Sequence, residues 1–156
     1  MILEFKHTVN SYEAIGLRIL NSGPYFGTAN SEWNQDYTKE EIFIIVDDWA
    51  ARGKQSFNVK GTSYNYLKYL IERAHSYGLT VTSQLEYGVD SKEAIELGID
   101  RVEHFIGGEM LPGDSHYYVE IANLDVENDS ESINNSMDIF IEHGVYLNTI
   151  MGTYGA

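Results

Sequence analysis

Three short runs of apolar or β-branched residues each end on a polar residue, and helix-like stretches separate them. The runs close on Lys60, Gln84 and His104. Strands that alternate with helices in this way predict an α/β fold with a parallel sheet. The carboxyl ends of parallel strands meet at one edge of the sheet, where α/β enzymes place their chemistry. These three residues are therefore the first candidates for a functional site.

The segments between these runs carry the start and stop signals of helices. Thr38 and Glu41 have the spacing of a capping box at the start of a helix. Residues 67–74 repeat apolar side chains at helical spacing, and Ser91 is expected to cap the next, short helix. Residues 133–141 show the same amphipathic period. The pattern predicts about four helices.

Two further runs extend the pattern to about five strands. Residues 17–20 predict a first strand and residues 145–151 a last one, and no shift in composition divides residues 1–156 into separate domains. A complete barrel of eight units needs about 250 residues, so we expect one domain that forms part of a barrel. The connection at residues 105–132 is unusually long, and long connections at the site edge of a sheet are often lids.

The charge balance is strongly acidic, with 24 Asp and Glu residues against 10 Lys and Arg residues and a formal net charge of −14. Nucleic acids and anionic membranes would repel such a chain, so we expect neither as a partner. The absence of cysteine excludes disulfides, thiolate metal ligands and a cysteine nucleophile. No apolar stretch approaches the length of about 18 residues that a membrane span needs, and we expect a cytoplasmic protein.

Two longer stretches resemble the centre of the amidohydrolase superfamily. They run from Ala74 to Gln84 and from Ala94 to His104. The branch they most resemble contains the imidazolonepropionase-like and prolidase-like metal-dependent hydrolases. Residues 17–26 are similar to the third strand of that branch and its Ser-Gly-Pro turn. The resemblance implies a partial TIM-type (β/α)8 barrel, with about five parallel strand-helix units that correspond to family strands three to seven.

The resemblance also implies a metal site at the strand ends. Lys60 aligns with the fourth-strand lysine that many members carbamylate to bridge two divalent ions, and His104 aligns with the sixth-strand histidine ligand. Zinc is the expected ion, since it lowers the pKa of a bound water towards ~7 and polarises a scissile carbonyl. The implied reaction is hydrolysis of a C–N bond in a non-peptide or dipeptide-like substrate. Gln84 and His116 are the predicted substrate-binding residues.

The chain departs from the family pattern in ways that weaken this site. Gln84 stands where the family has a fifth-strand histidine, and an amide oxygen is a poor zinc ligand. The paired histidines of the first strand and the aspartate of the eighth strand have no counterpart among residues 1–156. A catalytic zinc usually takes three protein ligands. We therefore expect a truncated chain that holds metal weakly and is inactive or weakly active alone.

Simpler explanations exist for the same residues. Lys60 fits a solvated surface charge, and His104 fits a hydrogen-bonded core histidine. Glu103 is expected to face the helix layer, because it alternates with His104 along the strand. The alternative function is a non-catalytic partial barrel that binds a small molecule or associates with itself. Open strand edges near Leu17 and Tyr146 predict a homo-oligomer under either function.

Overall fold

The computed structural model describes residues 7–9, 11, 22, 26–27, 37–85, 89–103 and 130–148. Strands and longer helices alternate along these ranges, which confirms the predicted α/β fold. In chain order the elements are β1 (Phe26–Gly27), α1 (Lys39–Ala51), β2 (Ser56–Lys60), α2 (Tyr64–Ser76), β3 (Thr80–Gln84), α3 (Ser91–Glu96), β4 (Arg101–Glu103), α4 (Ser130–His143) and β5 (Tyr146–Asn148).

The five strands form one sheet in the order β1-β2-β3-β4-β5, and all neighbouring pairs are parallel. The strand predicted at residues 17–20 lies outside the described residues. Ahead of β2, the structure places Ser22 in an isolated parallel bridge with Ser56 and pairs Phe26 with Val59. The last predicted strand is confirmed over Tyr146–Asn148.

Local side-chain chemistry explains where the first and third helices begin. The capping box at Thr38 and Glu41 is present as predicted. The expectation that Ser91 caps α3 is wrong, because Asp90 is the N-cap residue. Asp90 Oδ1 accepts the backbone N–H of Glu93 at 2.8 Å, and Glu93 Oε2 accepts that of Asp90 at 3.1 Å. This reciprocal pair satisfies two N–H groups that the start of a helix leaves without partners.

One face of the sheet carries the apolar core. Phe57, Val59, Val81 and Val102 are fully buried on this face, and they pack with apolar side chains of the helices in one cluster. Burying such side chains supplies most of the favourable free energy of folding. The alternate strand residues point to the opposite face, which we call the inner face. The side chains there are polar.

Helices α1 and α2 are joined on their outer surface by a charged and aromatic network. Arg73 donates to both carboxylate oxygens of Asp47, at 2.6 and 2.8 Å, and the Tyr77 hydroxyl donates to Asp47 at 2.9 Å. The Arg73 guanidinium lowers the pKa of Asp47, and the hydrogen bonds with Asp47 raise the pKa of Arg73 and that of Tyr77. Arg73 also lies 5.2 Å from the ring centroid of Phe43.

Asp100, directly before β4, forms hydrogen bonds with residues of α2, β3 and β5. Its Oδ2 atom lies 2.9 Å from Nε2 of His75 on α2 and accepts the backbone N–H of Val81 at 2.7 Å. Its carbonyl oxygen accepts the backbone N–H of Tyr146 at 3.0 Å. These bonds fix the starts of β3, β4 and β5 relative to each other. No helix in the described part of the chain is both long and apolar enough to cross a membrane.

Candidate functional site

The strand register brings polar residues into one row at the carboxyl edge of the inner face. Lys60 pairs with Gln84 across β2 and β3, and Glu103 pairs with Asn148 across β4 and β5. Val102 on β4 pairs with Ser83 on β3, and the next residue on each strand is Glu103 and Gln84, respectively. Gln84 and Glu103 are therefore neighbours in the same row. Residues paired in a parallel sheet point to the same face. The row therefore runs from Lys60 through Gln84 and Glu103 to Asn148.

Two of the predicted site residues lie side by side in this row. Lys60 and Gln84 are both half-buried at the last positions of their strands. Adjacent strands lie about 4.8 Å apart, so a single small ligand can contact both side chains. His104 and His116 lie outside the described residues, and their predicted roles as metal ligand and substrate contact stay predictions.

Glu103 lies at the carboxyl edge of the sheet, on the face opposite to the one expected from the sequence. It is only 8% exposed, and its carboxylate lies on the inner face. Thr82 Oγ1 donates to Oε1 at 2.5 Å, and Asn148 Nδ2 donates to Oε2 at 2.6 Å. The neighbouring Val102 occupies the helix side instead. The expected position of Glu103 in the helix layer is therefore wrong.

Asn58 lies one step below Lys60 on the same face and has an unusual amide. Its Oδ1 atom is buried and finds no hydrogen-bond donor among the described residues. Asn58 pairs in register with Thr82, the residue whose hydroxyl contacts Glu103. Buried polar atoms are nearly always hydrogen-bonded in folded proteins, so an acceptor without a donor is a position where a bound group or water fits.

Gly27 lets β1 approach the end of β2 closely. Its φ angle is +116°, and a Cβ atom at this position would lie 1.9 Å from the carbonyl oxygen of Lys60. Any side chain would displace the backbone that carries Lys60. Glycine is therefore required for the local geometry of the row.

The described residues do not by themselves fit a catalytic metal ion. Within the ranges that the structure describes, no three His, Asp or Glu side chains lie close enough together to hold one. The lysine ammonium of Lys60 has no lone pair to offer unless it is carbamylated, and the Gln84 amide is a weak ligand for zinc. What this part of the row can do is hydrogen-bond and orient a polar ligand, with one buried carboxylate as its anionic group.

The arrangement of the strands and helices is similar to that of several solved hydrolases. A protein from Bifidobacterium longum that is assigned as a prolidase matches with a TM-score of 0.57 and 15% identity, over 98% of this chain and 50% of that one. A Xaa-Pro dipeptidase with methionine bound in its active site matches with a TM-score of 0.57 and 19% identity, over 93% of this chain and 38% of that one. Ochratoxinase of A. niger matches with a TM-score of 0.52 and 15% identity, over 94% and 49%.

These likenesses concern the fold. No family profile and no curated protein sequence matches the chain. The chain spans between 38% and 50% of the length of these three structures, and one all-parallel sheet accounts for the strands in its described ranges. A structure of an amidohydrolase matches in the same way, with a TM-score of 0.53 over 53% of its length. The chain thus has the fold of part of an amidohydrolase-type (β/α)8 barrel.

Proposed function

We propose that this chain carries part of the site of a metal-dependent hydrolase that cleaves a C–N bond in a non-peptide or dipeptide-like substrate. The observation that carries the proposal is the register of Lys60 with Gln84 at the carboxyl ends of β2 and β3. In barrels of this type the strand ends on that edge hold the reacting groups. Solved structures with the same arrangement include a Xaa-Pro dipeptidase.

The same proposal holds that the chain binds its metal weakly when it is alone. The described residues offer Lys60 and Gln84 but no group of three conventional ligands. His104 would add one imidazole. A bound divalent ion would supply a water of lowered pKa, while Lys60 and His104 would hold it and Gln84 would orient the substrate. The matched structures are about twice as long or longer, and we assign full activity to a site with more ligands than the described residues provide.

Zinc titration of the purified chain tests the proposal. Isothermal titration calorimetry should show weak, saturable zinc binding that is lost in Lys60→Ala and in His104→Ala. Lys68→Ala is the matched control, since Lys68 is an exposed lysine on α2. If Lys60 is carbamylated, added bicarbonate should strengthen zinc binding in the wild-type chain and leave it unchanged in Lys60→Ala. Zinc binding that neither site variant alters, or no zinc binding at all, would contradict the proposal.

A second candidate function is a non-catalytic partial barrel that binds a small molecule. The absence of a three-ligand group among the described residues favours it, as do the hydrogen bonds that Thr82 and Asn148 make with the buried carboxylate of Glu103 on the inner face. A chain that binds no divalent ion, keeps its fold in both site variants and still binds a small polar ligand would support this function.

A further inference from the structure

Four side chains on the inner face form a group that is rich in hydrogen-bond acceptors. Asn58, Thr82, Glu103 and Asn148 come from four neighbouring strands, and we call them the acceptor cluster. Asn58 pairs with Thr82, and Glu103 pairs with Asn148. The hydroxyl of Thr82 joins the two pairs, because it donates to Glu103 at 2.5 Å.

The hydrogen bonds inside the cluster use up its donors and leave acceptors. A carboxylate can only accept, so Thr82 spends its single hydroxyl proton on Glu103 Oε1. For the same reason Asn148 turns Nδ2 towards Glu103 Oε2, which leaves its Oδ1 atom as an acceptor. Each carboxylate oxygen of Glu103 has capacity for another donor. The remaining capacity of these three side chains is therefore almost entirely that of acceptors.

Asn58 adds an independent observation of the same kind. Its Oδ1 atom is buried and has no donor among the described residues. An unpaired buried acceptor costs free energy that a bound donor would recover. Asn58 is the register partner of Thr82 on the neighbouring strand, so it lies on the same face as Glu103 but two strands away from it.

The negative charge of Glu103 determines which kind of hydrogen-bond donor the acceptor cluster favours. Glu103 is its one ionisable group, is only 8% exposed, and takes no part in the ion pairs found among the described residues. Arg101 lies on the same face but is exposed and makes no ion pair with Glu103 in that part of the chain. A buried carboxylate without a cation is unfavourable. One negative charge is balanced by one positive charge, and divalent ions usually require more anionic ligands than this.

We propose that the acceptor cluster binds a primary ammonium group of the ligand. An ammonium has one positive charge, three donors and no acceptor, which matches the unused acceptor capacity of Glu103 and its neighbour Asn148. This inference rests on the proposed function for the idea that the ligand lies along the row, and it adds that the substrate carries a free amino group near Glu103. Hydrolysis of a substrate without such a group would be disfavoured at the binding step.

The test compares two ligands that differ only in that amino group. Glycyl-L-proline and N-acetylglycyl-L-proline are titrated into the full metal-free chain, and binding is followed by the NMR signals of the asparagine side-chain amides. The wild-type chain should bind the free amine about tenfold more tightly, since a charge-assisted hydrogen bond is lost in the acetylated form. Glu103→Gln should bind the two ligands equally. Its side chain can still accept from Thr82 and donate to Asn148, so the fold should persist.

Two controls make the result specific. Glu96→Gln removes one negative charge from an exposed position on α3 and should keep the wild-type preference. Titration with potassium chloride distinguishes an inorganic monovalent ion, which would shift the same amide signals and displace the dipeptide.

Each outcome bears on the inference separately from the proposed function. A preference for the free amine that survives in Glu103→Gln, equal binding of both ligands by the wild type, or binding of neither ligand would overturn it. Potassium that occupies the cluster more tightly than the dipeptide amine would also overturn it. Because binding is measured without metal or turnover, an amine preference in a chain that never hydrolyses the dipeptide would uphold the inference while the proposed function fails.

Discussion

Replacement of Gly27 by alanine tests the close approach of β1 to the end of β2. A Cβ atom on Gly27 would lie 1.9 Å from the Lys60 carbonyl oxygen and 2.9 Å from Thr62 Cγ2. The Lys60 oxygen belongs to the backbone and cannot rotate away. To lengthen that contact to 3.0 Å, below which real Cβ contacts essentially never fall, the two strands must separate by about 1 Å.

The expected loss of stability has two parts. The φ angle of +116° is one that residues with a side chain rarely adopt, and a left-handed conformation costs about 1 to 2 kcal/mol. Forcing a methyl group into a filled space costs about 1 to 3 kcal/mol more. The free energy of unfolding of Gly27→Ala should therefore be lower than that of the wild type by about 2 to 5 kcal/mol.

Urea denaturation followed by circular dichroism measures this difference. Gly78→Ala is the matched control, because Gly78 has a φ angle of +68° but a Cβ atom there would meet nothing within 4 Å. The control should lose only the conformational part, about 1 to 2 kcal/mol. If both variants lose the same stability, the strands do not make the close contact and the reasoning about Gly27 is wrong.

Three further predictions follow from the described contacts. Arg73 lowers the pKa of Asp47 below its usual 3.8, so Asp47 stabilises the fold above its unfolded-state pKa and loses this effect as the pH falls through the lowered value. Asp47→Asn should be slightly less stable than the wild type in urea at pH 7, and the difference should shrink as the pH falls below 3.8; a difference that does not change with pH would contradict this. Asp90→Ala should lose about 1 kcal/mol of stability in thermal unfolding, whereas Lys92→Ala at an exposed neighbouring position should lose little. The outer edge of β5 has no partner strand in the described sheet, and Tyr146 on this strand is 71% exposed. Light scattering should therefore show a dimer or a larger assembly, and a uniform monomer would refute this prediction.

The features that depend on near neighbours in the chain could be predicted from the sequence. The capping box at Thr38 and Glu41 needs only a spacing of three residues, and the structure contains it. The same rule applied to Asp90 and Glu93 would have identified the true cap of α3. Residue type alone does not separate Asp90 from Ser91, because both types favour the cap position, and only the Glu93 partner three residues after Asp90 distinguishes them.

The features that depend on register could not be predicted in the same way. The face that Glu103 occupies follows from its alignment with Asn148 on β5, which is 45 residues away in the sequence. Alternation along one strand gives only the orientation of Glu103 relative to His104, and a fixed reference is needed to assign either residue to a particular face. The buried oxygen of Asn58 is likewise a property of the assembled sheet. The sequence does show that Asn58 and Lys60 share a face, because they are two residues apart in one strand.

One face of the sheet is apolar and packed and the other is polar, and this difference has a consequence for how the protein can evolve. Phe57, Val59, Val81 and Val102 build the packed side, while the polar side chains lie at alternate positions of the same strands. A library randomised at positions 58, 60, 82 and 84 should therefore yield many folded members with altered recognition. Under the proposed function, selection can then change the ligand that is bound without first having to restore the stability of the fold.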